Sequence, residues 1–110
     1  MIKVYIASPY THGDVAQNVH NSFLVASQIR RIDGVMPIAP LRAHFEHLCY
    51  PQQYETWMAE DHEYIKISDA LFRLPGHSSG ASREVKWADE LNIPIFHKWA
   101  DLFEWLIDQV

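Results

Sequence analysis

Short β-prone runs alternate with longer stretches of helical period along this chain, and that alternation restricts the possible folds more than any other feature. Ile2-Lys3-Val4-Tyr5-Ile6-Ala7, Val35-Met36-Pro37-Ile38-Ala39-Pro40, Asp69-Ala70-Leu71-Phe72-Arg73-Leu74 and Ile93-Pro94-Ile95-Phe96 read as strands. Between the first two, Val15, Val19, Phe23, Ala26 and Ile29 recur at helical spacing behind Asp14, a residue suited to capping a helix start, and Asp33-Gly34 supplies the stop. Tyr54, Trp57, Met58, Asp61, Tyr64, Ile65 and Ser68 mark a second helix, and a third runs from about Gly80 to Leu91. The last carries Trp99, Leu102, Phe103 and Leu106 toward the core, leaving Trp105 off the stripe and open to a subunit contact. A parallel strand pair needs a crossover long enough to hold a helix, so alternation of this kind predicts a parallel sheet. The expected fold is one α/β domain over residues 1–110. It is a doubly wound, flavodoxin- or Rossmann-like sheet of about four to five mainly parallel strands with helices on both faces. The segment from Leu41 to Gln53 has no clear period, and its conformation stays open.

Composition narrows the partners. A length of 110 residues suits a single core. The formal charge of −5, with no basic stripe, disfavours a nucleic-acid polymer as partner and leaves room for a small ligand held by local donors. The single cysteine, Cys49, cannot close an intramolecular disulfide, and Met1 leads straight into a strand with no long apolar leader, so the expected location is cytoplasmic. No apolar run approaches the roughly 20 residues that span a bilayer, so no membrane partner is expected.

Open parallel sheets bind ligands beyond the carboxyl ends of their strands. Two segments fall on that edge: Ser8-Pro9-Tyr10-Thr11-His12-Gly13 after the first strand, and Ser78-Ser79-Gly80-Ala81-Ser82-Arg83-Glu84 after the third. A helix starting near Gly80 aims unpaired N–H groups and its positive dipole end at the loop, which suits a phosphate or carboxylate. Gly80 allows close approach to the backbone, and Ser78, Ser79 and Ser82 add hydroxyl donors. Glu84 lies about one turn in and can aim back toward the sheet edge. The same residues also read as an N-cap and a first-turn acid stabilised by the dipole.

Other candidates are weaker. His44-x-x-His47-x-Cys49 offers only three metal-ligand types at a spacing that matches no common zinc finger, and consecutive helix positions aim Asp61, His62 and Glu63 apart, so no metal site is assigned. Arg42, Arg73 and Arg83 are available to a phosphate, although arginines more often sit solvated at the surface.

Taken in order, Tyr5-Ile6-Ala7-Ser8-Pro9-Tyr10, Asp61 with Ile65 and Ser68-Asp69-Ala70, and Ser78-x-Gly80-x-x-x-Glu84 with Ala88 resemble the nucleoside 2-deoxyribosyltransferase superfamily. The resemblance covers most of the chain. It implies that Glu84 is the nucleophile attacking the sugar's anomeric carbon, that Tyr5 positions it, and that Asp61 meets the nucleobase and assists its departure. Nucleoside-using members usually carry Asp six residues before the catalytic Glu, whereas Ser78 stands here, as in the branch that hydrolyses nucleoside 5′-monophosphates. An Asp would repel a phosphate dianion that a serine hydroxyl and a helix N-terminus can bind. The expected activity is therefore N-glycosidic cleavage of a (deoxy)nucleoside 5′-monophosphate without a cofactor, with Ser8, Tyr10, His12, His44, Ser78, Gly80 and Ser82 around the substrate. The resemblance also implies a homo-oligomer, dimer or larger. The chain is short for the transferases, and its first loop is poorer in glycine than theirs.

The alternatives are a deoxyribosyltransferase, a non-catalytic nucleotide-binding or sensing module, and an interaction protein with a sealed or absent cavity. Convergence of Tyr5, Asp61 and Glu84 on one cavity separates the enzymes from the other two, because catalysis needs a carboxylate within reach of the sugar.

Overall fold

A computed structural model describes residues 1–110. Four strands, β1 (Ile2–Ala7), β2 (Val35–Ile38), β3 (Ala70–Arg73) and β4 (Ile95–Phe96), form one sheet in the order β2-β1-β3-β4. Every pair is parallel, with Ile2 beside Val35, Val4 beside Ala70 and Leu71 beside Ile95. Helices α1 (Val15–Arg30), α2 (His44–Cys49), α3 (Tyr54–Lys66), α4 (Ser79–Glu90) and α5 (Trp99–Gln109) connect and cover the strands. This is the doubly wound sheet predicted from the alternation, with four strands. No helix is long and apolar enough to cross a membrane.

The two-residue period of the central strands divides the core into two. Val4, Ile6, Ala70 and Phe72 pack with Ala26 and Ile29 of α1 and Leu102 and Leu106 of α5. Tyr5, Ala7 and Leu71 turn to the other face, where Ile65 of α3 and Ala81 and Ala88 of α4 cover them. Strands buried on both faces must be apolar at successive positions, which is why Val4 to Ala7 of β1 and Ala70 to Phe72 of β3 read as unbroken hydrophobic runs. Asp69 closes their shared end: its carboxylate accepts the Lys3 N–H at 2.8 Å, and its own N–H donates to the Lys3 carbonyl at 2.8 Å.

Local chemistry sets the helix ends. Asp14 caps α1 by accepting the Gln17 N–H at 3.1 Å. Past the C-terminus of α4, Asn92 takes a left-handed φ of 58° while the Asn92 and Ile93 N–H groups return to the Asp89 and Ala88 carbonyls. That pair of bonds satisfies carbonyls the helix leaves open.

Several boundaries and faces differ from expectation. Strand β2 stops at Ile38, since Pro40 begins a single 3₁₀ turn, Pro40–Ala43. Strand β4 keeps only Ile95 and Phe96, because Pro94 lacks the N–H a ladder needs and contributes only its carbonyl, to Leu71. The unassigned segment 41–53 holds the 3₁₀ turn and α2. On α1 the core-facing position is Ser22, whereas Phe23 is 43% exposed, one residue around the helix. On α5, Leu102 and Leu106 are fully buried, so Trp99, Phe103 and Trp105 flank that line. Phe103 is 42% exposed, and Trp105, expected to be free, packs on Phe96 with ring centroids 5.6 Å apart. The short edge strand leaves a flank that a large indole fills, so Trp105 is not the open subunit contact anticipated.

Candidate active site

The order β2-β1-β3-β4 reverses direction between β1 and β3, so a crevice opens beyond their carboxyl ends. It is flanked by the loops 8–13 and 74–77, the second leading into the Ser78–Glu84 helix start singled out in the sequence. Both are tied down. Asn18 of α1 donates from its amide to the Tyr10 and His12 carbonyls, each at 2.9 Å. Arg73 at the end of β3 donates to the carbonyls of Leu74 and Gly76, the latter at 2.8 Å. Gly76 has a φ of 118°, and a Cβ there would stand 3.0 Å from Pro9 Cγ, so a glycine is needed both for the turn and for the contact joining the loops.

At the base of the crevice Tyr5 projects from β1 toward α4, and its hydroxyl donates to Glu84 Oε2. Both residues are buried. Asp61 approaches from α3 and interacts with both. Burial, followed by the nearby Asp61 charge, raises Glu84 well above the usual carboxylate range, against the opposing influence of the Tyr5 hydroxyl and Arg73. Burial, assisted by the Glu60 charge, lifts Asp61 to about 6, while hydrogen bonds with Glu84 and Tyr5 pull it down. Burial first, then the Glu84 and Asp61 charges, pushes the Tyr5 phenol up, so it remains a donor. Burial disfavours the ionised form of both carboxyls, so the pair favours keeping a proton.

These groups open into a cavity of about 500 Å³, a volume suited to a small organic ligand. Ser8, Tyr10, His12, His44, Ser78, Gly80, Asp61 and Glu84 all line it. Tyr5 lies behind Glu84 as its hydrogen-bond partner, itself fully buried. Ser82 sits elsewhere. Its hydroxyl donates to the Ser78 carbonyl at 2.9 Å, and it borders a separate cleft with Arg73 and His97, so it does not join the cavity. Ser8 is buried and donates to the Pro9 carbonyl at 2.9 Å. Tyr10 and His44 pair through the phenol oxygen and Nδ1, 2.7 Å apart.

Ser78 is the N-cap of α4, accepting the Ala81 N–H at 3.0 Å. Its hydroxyl proton is still available for donation outward. Gly80 has a packing reason beside any ligand: a Cβ there would lie 3.2 Å from the Tyr54 hydroxyl. The arginines weighed as phosphate partners stand outside the cavity. Arg83 makes a bidentate pair with Glu55, at 2.7 and 3.0 Å, over the rings of Tyr54 and Trp87. His44, His47 and Cys49 do not converge: the His47 Nδ1 accepts from Trp57 Nε1 at 2.8 Å, and Cys49 is exposed. No group of three or more His, Cys, Asp or Glu residues is arranged to hold a metal ion.

Sequence reasoning missed much of the aromatic wall. Tyr54, Trp57 and Met58 share a face of α3 with Asp61 and line the cavity with it. The spacing i, i+3, i+4, i+7 marked that stripe, but periodicity alone reads as core. Its one acidic member was the available sign that the stripe also meets a ligand. His77 carried no signal, because only the folded turn brings it to the cavity mouth.

Fold and site together define a doubly wound α/β domain with a paired-carboxylate cavity at its topological switch point. No family model matches the chain, and no curated protein does. Among solved structures it is similar to a 2-deoxyribosyltransferase from the psychrotolerant bacterium Bacillus psychrosaccharolyticus. The TM-score is 0.58 and the identity 21%, over 84% of this chain and 69% of that one. The two chains share a fold.

Proposed function

We propose that this chain cleaves the N-glycosidic bond of a (deoxy)nucleoside 5′-monophosphate and releases the nucleobase. The observation that carries the reading is the meeting of Tyr5, Asp61 and Glu84 at the base of one cavity. A non-catalytic module has no use for a buried pair of carboxyls at this spot, since burial raises both and costs stability. With the shared proton on Asp61, Glu84 is the carboxylate and Asp61 the acid. A Glu84 oxygen then bonds to the anomeric carbon as the carbon–nitrogen bond breaks; its electron pair leaves with the base, which takes the Asp61 proton. Tyr5 holds Glu84 in line and stabilises its charge. Water next attacks the anomeric carbon, gives its proton to Asp61 and frees Glu84 as carboxylate.

Phosphate selectivity follows from Ser78. A serine caps the helix as an aspartate would, yet keeps a hydroxyl to donate and adds no charge to repel a dianion. The fold neighbour favours a second reading. That protein is described as a biocatalyst for nucleoside synthesis, and in a transferase a second nucleobase resolves the glycosyl-enzyme instead of water.

The test is chromatographic detection of free base from a panel of nucleosides and 5′-monophosphates, with and without a second base. Wild type should release base from monophosphates, and Glu84→Ala should be slower by about 10³-fold or more. Equal rates for the two proteins would sink the proposal, whereas base exchange in place of net release would assign transfer.

A further inference from the structure

The geometry points to His12 and His77 as a paired imidazole site for the ligand's phosphate, at which phosphate binding takes up protons. This rests on reading the ligand as a nucleoside 5′-monophosphate. The cavity has 20 lining residues, and none is lysine or arginine. Arg73 is committed to backbone carbonyls and acts on Glu84 only through space, and Arg83 is committed to Glu55, so neither lines the cavity to bind an anion there. Two carboxyls already occupy the base of the cavity. A phosphate dianion entering it therefore meets hydroxyls, backbone N–H groups and imidazoles, and only the imidazoles can become cationic.

Four histidines line the cavity, and two are engaged. The Nδ1 of His47 accepts the Trp57 N–H, and that of His44 pairs with Tyr10. His12 and His77 face each other edge-on, with ring centroids 4.9 Å apart, one on each loop at the mouth. Both rings are exposed. Either ring can take a proton, and an anion seated against both favours their charged forms. A phosphate supplies that anion, so the pair gains protons as it binds. The Asn18 clamp on the His12 carbonyl and the Pro9–Gly76 contact beside His77 fix the loops before the ligand arrives. Among other charged or titratable groups, Asp14 is spent capping α1, Asp61 and Glu84 lie at the base, and Tyr10 and Tyr54 line the walls.

The experiment is calorimetric titration near pH 7 in two buffers of different ionisation enthalpy, which counts protons exchanged on binding. Glu84→Gln protein prevents turnover, and the probes are 2′-deoxynucleoside 5′-monophosphates and their parent nucleosides. Monophosphates should take up more protons than nucleosides, with an affinity that falls by up to about tenfold per pH unit above the imidazole range. The difference between the probes should vanish when His12→Gln and His77→Gln are added together, with thermal melts confirming that the variant is folded. Monophosphate binding with the same proton exchange as the nucleoside overturns the histidine assignment and leaves the functional reading intact. Failure of folded protein to bind either probe overturns that reading, and the assignment with it.

Discussion

Glu84 shows how much one side chain's meaning depends on its surroundings. Six residues past Ser78 it reads equally as a first-turn acid favoured by the helix dipole. In the fold it is 5% exposed, meets Tyr5 and Asp61, and is held well above its ordinary range by burial and the Asp61 charge. The consequence for stability has a definite sign. A carboxyl whose folded value is raised binds protons more tightly in the native state than in the unfolded one. Its contribution is full below the unfolded value near 4 and is lost as pH rises through the folded value, which is about 6 for Asp61. Wild-type melting temperature should therefore decline between pH 5 and pH 8, measured by circular dichroism. Glu84→Gln, which still accepts the Tyr5 hydroxyl, should flatten that decline and melt several degrees above wild type at pH 8. A variant less stable than wild type at pH 8 would show that the carboxylate is held by its partners more than it is penalised.

At the scale of elements, the start of α4 does two jobs with neighbouring residues. Ser78 caps the helix, and Gly80 lets α3 approach until the Tyr54 hydroxyl is within 3.2 Å of where a Cβ would stand. Ser78→Ala should cost about 0.5–2 kcal/mol by denaturant unfolding through loss of the cap. Ser78→Asp, an equally good cap, should keep stability while weakening monophosphate binding relative to nucleoside. Equal discrimination in Ser78→Asp and wild type would remove Ser78 from the phosphate's surroundings. The elements themselves were legible from sequence wherever a cap or stop marked them, as at Asp14 and Ser78. They were not legible where a neighbour decides. Tertiary contact with Phe96 sets the burial of Trp105, and the 3₁₀ turn and α2 in segment 41–53 have no period to announce them.

For the molecule as a whole, the sheet separates the site from half the core. Leu106 of α5 belongs to the cluster on one face, whereas Tyr5, behind Glu84, and Ala81 belong to the other. Leu106→Ala should destabilise the fold by about 2–5 kcal/mol, with unfolding midpoint as the readout. Its KM for any substrate turned over should stay near wild type at temperatures where the variant is folded. A large change in KM would mean that the sheet transmits strain from one face to the other. The parallel α/β class and the sheet edge at which the cavity opens were determined by sequence, because period and alternation are local and survive without knowledge of contacts. The ordered motifs also singled out Tyr5, Asp61 and Glu84. Only the tertiary structure decided that these three meet, that Ser82 turns away, that Trp57 and Met58 line a cavity as well as packing, and that His12 faces His77. Most of those facts depend on which elements become neighbours, and pairs as distant in sequence as Tyr5 and Glu84 or His12 and His77 carry no local trace of that.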